Sequence, residues 1–216
     1  ELTVRCPFFD DLADNPDKID SYLQEQLDFS SSNSSRPNEP QDIVLYGFGR
    51  IGRLMARLLV QTTGPGNYFR LKAVVVRKGG ENDLVKRASL LRRDSVHGRF
   101  IGTIRVDLDH DLLVVNGNPV KFIYASGPAE INYEKLGINK PIVIDNTGIW
   151  RDEAALSQHL DCGASKVILT APAKGDIRNV VFGVNDNSLT DSDNIISAAS
   201  CTTNAIVPVL KVLSDQ

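Results

Sequence analysis

Cysteine is scarce in this chain: Cys6, Cys162 and Cys201 are its three, too few and too scattered for a disulfide framework or a paired metal motif. No metal site is expected, and a reducing, cytoplasmic setting is. Lys and Arg never gather into a run, and a net charge of −3 leaves no basic face, which sets nucleic acid aside as a main partner. No apolar run approaches membrane-spanning length, and the N-terminus carries acidic residues where a secretion signal needs basic ones. Glu1 in place of Met and a stop at Gln216 just as a helix finishes read as cut ends. What is present, 42% hydrophobic residues over 216, is the balance of a globular protein with one large domain, or one domain and pieces of another.

Residues 1–42 read as an N-terminal extension. Asp14-Asn15-Pro16-Asp17 can start a short helix with Ile19, Tyr22, Leu23 and Leu27 on one face, while residues 30–42, rich in Ser, Asn and Pro, have nothing to bury and form a flexible tether. The apolar run Ile43-Val44-Leu45-Tyr46 then leads straight into Gly47-Phe48-Gly49-Arg50-Ile51-Gly52-Arg53, after which Leu54, Leu58 and Gln61 continue a helix. Strand before and helix after give G-x-G-x-x-G its dinucleotide-binding meaning. Gly47 permits the tight turn, Gly49 lets a pyrophosphate approach the backbone, and Gly52 lets the helix pack close on the strand. The anion then sits on the helix N-terminus.

Leu71-Lys72-Ala73-Val74-Val75-Val76 supplies a second strand, beyond the loop with Gly64-Pro65-Gly66. Its end is where an acidic residue usually holds the adenosine ribose, and here Arg77-Lys78-Gly79-Gly80 follows. Two cations suit a 2′-phosphate, which favours NADP or use of both NAD and NADP. The alternative is that Arg77 stacks on adenine or faces water and Glu81 or Asp83 takes the ribose. Residues 83–91 read as a helix with Leu84, Ala88 and Leu91 on one side, and residues 92–100 as a charged, solvated turn in which His97 is a poor catalytic candidate. Asn116-Gly117-Asn118 between two apolar runs signals a hairpin, an antiparallel excursion from a parallel sheet.

Pro141-Ile142-Val143-Ile144-Asp145 is nearly continuous apolar sequence, as in a strand buried on both faces. Ligands of open α/β sheets bind outside the carboxyl ends of strands, so Thr147 and Gly148 are placed to line the crevice, and Thr170 ends the next strand, Lys166-Val167-Ile168-Leu169. His159, on a helix over residues 152–160, is expected on the surface or in packing, Cys162 in the core, and Val180-Val181-Phe182 in a short strand. The expected fold class is α/β, a Rossmann-type doubly wound, mostly parallel sheet with an antiparallel hairpin insertion. A dinucleotide-binding domain would span 43–199, and residues 200–216 would begin a second, catalytic domain.

Ser200-Cys201-Thr202-Thr203-Asn204 joins the strand Ile195-Ile196-Ser197-Ala198-Ala199 to a helix on which Ile206, Val209, Leu210 and Leu213 share a face. A thiol at a helix start ionises more easily than a free one, and the thiolate is the nucleophile. Ser200, Thr202 and Thr203 add hydroxyls suited to capping the helix or holding a small anion such as phosphate. The plainer alternative is a buried Cys at a strand-helix junction. Pro208 inside the helix predicts a kink or a distorted turn.

Together, the glycine turn at 47–53, Asp94-Ser95-Val96-His97-Gly98-Arg99-Phe100 and Ser200-Cys201-Thr202-Thr203-Asn204 resemble phosphorylating glyceraldehyde-3-phosphate dehydrogenases, in particular longer members with an N-terminal extension. The resemblance runs from about Ile43 to the end. It implies Cys201 as nucleophile, Ser200 and Thr202 on inorganic phosphate, Arg50 and Ile51 offering backbone to the pyrophosphate, and Thr147 and Thr170 near the nicotinamide. It also implies a sugar-phosphate aldehyde as substrate and a homo-oligomer, a tetramer. The family's catalytic histidine lies beyond Gln216, so these residues alone are expected to bind cofactor and turn over poorly. An erythrose-4-phosphate dehydrogenase would share all three motifs. A reading of another class is a non-catalytic dinucleotide-binding module with a redox-reactive Cys201.

Overall fold

The computed structural model describes residues 40–62 and 68–215. The expected helix over 19–27, most of the tether, Cys6 and the Gly64-Pro65-Gly66 loop lie outside the described residues.

Near-continuous apolar runs become the inner strands of one sheet because both of its faces are covered. Gln41–Tyr46 (β1), Arg50–Thr62 (α1), Phe69–Val76 (β2) and Asp83–Arg92 (α2) come first. The ribbon Arg93–Asp94 (β3) with Gly98–Arg99 (β4) follows, then Ile104–Asp107 (β5), Leu112–Val115 (β6) and Asn118–Tyr124 (β7). Ile142–Asp145 (β8), Glu153–Asp161 (α3), Lys166–Leu169 (β9), Ile195–Ser197 (β10) and Cys201–Ser214 (α4) complete the order. Eight strands form one sheet, ordered β10-β9-β8-β1-β2-β7-β6-β5. From β10 to β7 every pair is parallel, while β6 and β5 extend the sheet antiparallel. This is the expected α/β sheet with its antiparallel hairpin.

Alternation along β1 sends Ile43 and Leu45 to one face, with Val60, Leu84, Ala88 and Leu91 of the two helices, and Val44 and Tyr46 to the other, with Val143, Ile131 and Tyr133. Leu84, Ala88 and Leu91 are the buried residues of α2, as their spacing predicts. Strand β2 carries one irregularity: Ile43 pairs with Leu71 but Val44 pairs with Ala73, so Lys72 is passed over. The bulge keeps Leu71 on the face of Ile43 although Ala73 and Val75 point the other way. Asn116 and Gly117, with φ of 50° and 83°, make the two-residue hairpin turn in which both central residues are left-handed.

Two expectations are corrected. Val180-Val181-Phe182 is not a strand: a single bridge joins Asn179 to Ser197, and Phe182 is 87% exposed. Strand β10 stops at Ser197 because Ala199 turns left-handed, with φ of 58°. Residues 92–100 are the charged, exposed turn expected, closed by the short β3–β4 ribbon, with the Asp94 carboxylate and Phe100 covered. Helix α4 runs unbroken through Pro208 and buries no residue: Ile206, Val209, Leu210 and Leu213 all stand exposed. Among the described residues no helix is long and apolar enough to cross a membrane.

Candidate functional site

The chain leaves β1 for β2 on one side and returns past β1 to β8 on the other, so the strand order reverses at β1. Above that reversal lies a cleft of about 370 Å³, lined among others by Gly47, Gly49, Arg77, Arg87, Thr147 and Trp150. Gly47 has φ of 94°, and its N–H donates to the Val75 carbonyl at 2.8 Å. A Cβ there would meet Thr147 Cγ2 at 2.9 Å. A Cβ on Gly52 would run into the carbonyl oxygen of Gly47, which is how tightly α1 seats on the turn. Gly49 differs: nothing lies within 4 Å of a Cβ built there, and the residue is exposed on the cleft. Arg50 and Ile51 open α1, where first-turn N–H groups have no partner within the helix.

Asp145, at the end of β8, is fully buried. Its Oδ1 accepts the Thr147 N–H and the Thr147 hydroxyl, both at 2.7 Å. Its backbone carbonyl accepts the Thr170 N–H at 2.9 Å and the Thr170 hydroxyl at 3.1 Å. Thr147 therefore lines the cleft, while Thr170 turns its hydroxyl to the backbone, and neither Thr170 nor Gly148 is among the lining residues. His159 is buried too, so of the two places expected for it packing is the right one. Its Nε2 lies 3.4 Å from Asp145 Oδ2, and its ring meets Tyr46 edge-on at 4.8 Å. Burial, and after it the Asp145 carboxylate, push the Tyr46 phenol well above its ordinary range.

On the β2 side, Arg77 and Arg87 face the cleft. Arg87 Nε donates to Asp83 Oδ2 at 2.7 Å and its Nη2 to the Arg77 carbonyl at 3.0 Å. Below the start of α1, Asp94 gathers the 92–100 ribbon. Its side chain is only 4% exposed, Oδ1 accepts the N–H groups of Val96 and His97, each at 3.0 Å, and Oδ2 lies 3.6 Å from Arg50 Nε. The N–H of His97, then that of Val96, then the His97 ring hold this carboxyl far below the usual carboxylate range. A depressed carboxyl adds stability above its unfolded pKa, near 3.9, and loses it as pH falls. Asp94→Asn, which keeps an acceptor and removes the charge, is expected to lower the melting temperature at pH 7. The gap from the parent closes as the pH is taken below about 4. Melting curves by circular dichroism across that range check it; a gap that does not change with pH would mean that the charge contributes nothing.

At the end of β10 the chain makes a sharp elbow. Ala199 takes its left-handed turn, and Ser200 caps α4 by accepting the Thr203 N–H at 3.0 Å. Cys201, the first residue of α4, is exposed, with Thr202 Oγ1 3.9 Å from its sulfur. The Thr203 hydroxyl lies 2.7 Å from that of Ser200, so these two face each other. From beneath, buried Ser197 braces the elbow: its Oγ accepts the Ala199 N–H at 3.0 Å and lies 2.7 Å from the Ala171 carbonyl. Asn204 Nδ2 ties back to the carbonyls of Ala198 and Ser200 at 2.8 and 2.9 Å. Cys162 is the half-buried core residue expected, its thiol raised by burial.

The structure thus brings Gly47, Gly49, Arg77 and Thr147 to one cleft. Since β10, β9, β8, β1 and β2 are parallel, it sets the Cys201 elbow on the same edge of the sheet. Sequence reasoning missed Asp145, Ser197, Ala199 and Asn204. An acidic residue closing an apolar strand, Ile144-Asp145-Asn146, was the one available signal.

Residues 41–153 match the family model described as glyceraldehyde 3-phosphate dehydrogenase, NAD binding domain. A glyceraldehyde-3-phosphate dehydrogenase-like protein of Pseudomonas aeruginosa is 53% identical over 204 residues, 94% of this chain and 44% of the relative. The glyceraldehyde-3-phosphate dehydrogenases of Thermotoga maritima and Zymomonas mobilis are 38% and 40% identical over 174 and 175 residues, 81% of this chain and 49% of each relative. The chain spans about half the length of the curated relatives it matches. Only the first of these alignments is long enough to extend well into residues 1–42.

Proposed function

Since this chain belongs to the glyceraldehyde 3-phosphate dehydrogenase family, we propose that it carries the cofactor cleft and the nucleophile of an enzyme that oxidises glyceraldehyde 3-phosphate to 1,3-bisphosphoglycerate. The observation that carries this reading is the shared sheet edge, with the glycine turn after β1 and an exposed, helix-starting Cys201 after β10. The residues fit a dinucleotide: Gly49 leaves open on the cleft the space that a side chain would fill, and α1 begins beside it. When bound, the nicotinamide supplies the hydride acceptor.

The rest is work for the chain's own groups. Cys201 Sγ adds to the aldehyde carbon and holds it as a hemithioacetal, and after oxidation as a thioester. The Cys201 N–H, at the start of α4, points its dipole toward the oxygen that gains charge. Ser200 and Thr202 offer hydroxyls to the phosphate, which attacks the thioester carbon, leaves as acyl phosphate and frees the thiolate. The three histidines, His97, His110 and His159, all precede Cys201 in the cofactor domain, so none matches the family's catalytic histidine. The proton acceptor is therefore assigned to the half of the relatives' length that this chain does not span. The small-molecule partners and a homo-oligomeric state follow from the same resemblance, and a cytoplasmic setting from the few, scattered cysteines. The test is cofactor reduction by a chain extended through that remaining length, given glyceraldehyde 3-phosphate with and without inorganic phosphate. Turnover that ignores phosphate removes the acyl-phosphate step.

Cofactor choice is read from the end of β2. Of the rival ribose ligands, Asp83 is already bound to Arg87 and Glu81 does not line the cleft, which leaves Arg77 and Arg87 as the charged groups facing it and supports NADP or dual use. Arg77→Ala is expected to weaken NADP+ about tenfold or more, the worth of one charge-assisted hydrogen bond, and NAD+ much less. Fluorescence titration with each cofactor decides; an equal loss for both would make Arg77 an adenine-stacking residue.

A further inference from the structure

The buried Asp145–His159 pair has no part in the chemistry above, yet it stands beneath the cleft and engages two of its strand ends. The two oxygens of the carboxylate divide the work. Oδ1 takes both donors of Thr147, and Oδ2 faces His159 Nε2. The same residue's backbone carbonyl takes both donors of Thr170, so one residue fixes the segments after β8 and β9. His159 is fully buried, and its Nδ1 has no partner. Facing a carboxylate requires the proton on Nε2, which leaves Nδ1 a bare acceptor in an apolar setting. A buried unpartnered polar atom carries a cost, and Leu or Phe would fill the same space without it. The ring offsets that cost as a donor to Asp145.

We propose that His159, acting through Asp145, is a positioning residue for the nicotinamide half of the cleft. This rests on the cofactor reading above. The half follows from the topology. Arg77 and Thr147 lie on opposite sides of the Gly47 turn, after β2 and β8. The β2 side holds the adenosine ribose in sheets of this kind, so the Thr147 side faces the other end of the dinucleotide. Without a donor at 159, the Asp145 carboxylate is free to rotate away from Thr147, and the lip it holds loses its fixed place.

The test uses this chain and two probes, NAD+ and ADP-ribose, which shares everything with NAD+ except the nicotinamide. His159→Phe keeps an aromatic ring against Tyr46 and removes the donor. NAD+ affinity is expected to fall about tenfold, as for one lost hydrogen bond to a charged group, while ADP-ribose affinity stays within about twofold. His159→Gln, whose amide N–H can reach the carboxylate, is expected to restore most of the loss. An equal fall for both probes, or none for either, overturns the proposal and leaves His159 a packing residue. Should His159→Phe fail to fold, Thr147→Val at the cleft surface is expected to show the same split between probes, and an unchanged NAD+ affinity there overturns the proposal as well. If the parent chain binds neither probe, nor NADP+, the cofactor reading itself fails.

Discussion

Replacing Cys201 with serine is expected to reduce aldehyde oxidation, in the chain extended through its relatives' length, by roughly 10³-fold or more, while NAD+ binding stays as it was. The size follows from what the sulfur supplies. At neutral pH a hydroxyl is far less nucleophilic than a thiol or thiolate and needs a dedicated base, and Cys201 stands exposed at the start of α4. The selectivity follows from the structure. Cys201 is exposed, packs no core cluster and does not line the cleft, and the cap of α4 belongs to Ser200. Serine therefore leaves both the fold and the cofactor site in place. Turnover by absorbance and binding by fluorescence on the same preparation check the two halves. Retention of a tenth of the activity would remove the nucleophile, and a parallel loss of NAD+ binding would mean that the elbow holds the cofactor as well.

The glycine turn gives the second large effect, and its three glycines are expected to fail differently. Gly49→Ala has no protein atom to strike, so the melting temperature should stay within about a degree, as for surface changes in general. Its methyl enters the space left for the ligand, and cofactor affinity is expected to drop about 10- to 100-fold, the equivalent of 1–3 kcal/mol of overpacking. Gly52→Ala strikes the Gly47 carbonyl instead, and α1 must lift from the turn. That costs about 1–3 kcal/mol of stability, or roughly 2–4 °C per kcal/mol for a domain of this size. Gly47→Ala combines a contact with Thr147 and a left-handed backbone, so stability and binding fall together. Thermal melts and NAD+ titrations of the three variants separate the roles. A destabilised Gly49→Ala that still binds cofactor would refute the assignment of that glycine to the ligand.

Much of this was legible in the sequence because the signals were local. Leu84, Ala88 and Leu91 share a face by spacing alone, Asn116-Gly117 sets its hairpin by backbone preference, and a glycine turn between an apolar run and a helix has few other meanings. What escaped depends on contacts between distant segments. Asp94 reads as one charge in a charged stretch, and only the ribbon shows its carboxylate covered and hydrogen bonded. Ser197 and Ala171 are 26 positions apart, and no periodicity announces that they meet. Asn204 passes for a polar helix residue until its side chain is seen holding the carbonyls before Cys201. The face drawn through Ile206, Val209, Leu210 and Leu213 was correct as helix and misleading as burial, since those four stand exposed and the half-buried Thr203, Val207, Pro208 and Lys211 lie on another face of α4.

The bulge at Lys72 has a consequence for how this sheet tolerates change in length. Losing a residue from a central strand ordinarily turns every side chain on one side of the cut inside out. Here the pleat already skips one position, and removing Lys72 would join Leu71 to Ala73 in unbroken alternation, each still opposite its present partner in β1. The middle of the sheet therefore holds a spare residue, and a chain shortened by one at Lys72 keeps both of its cores.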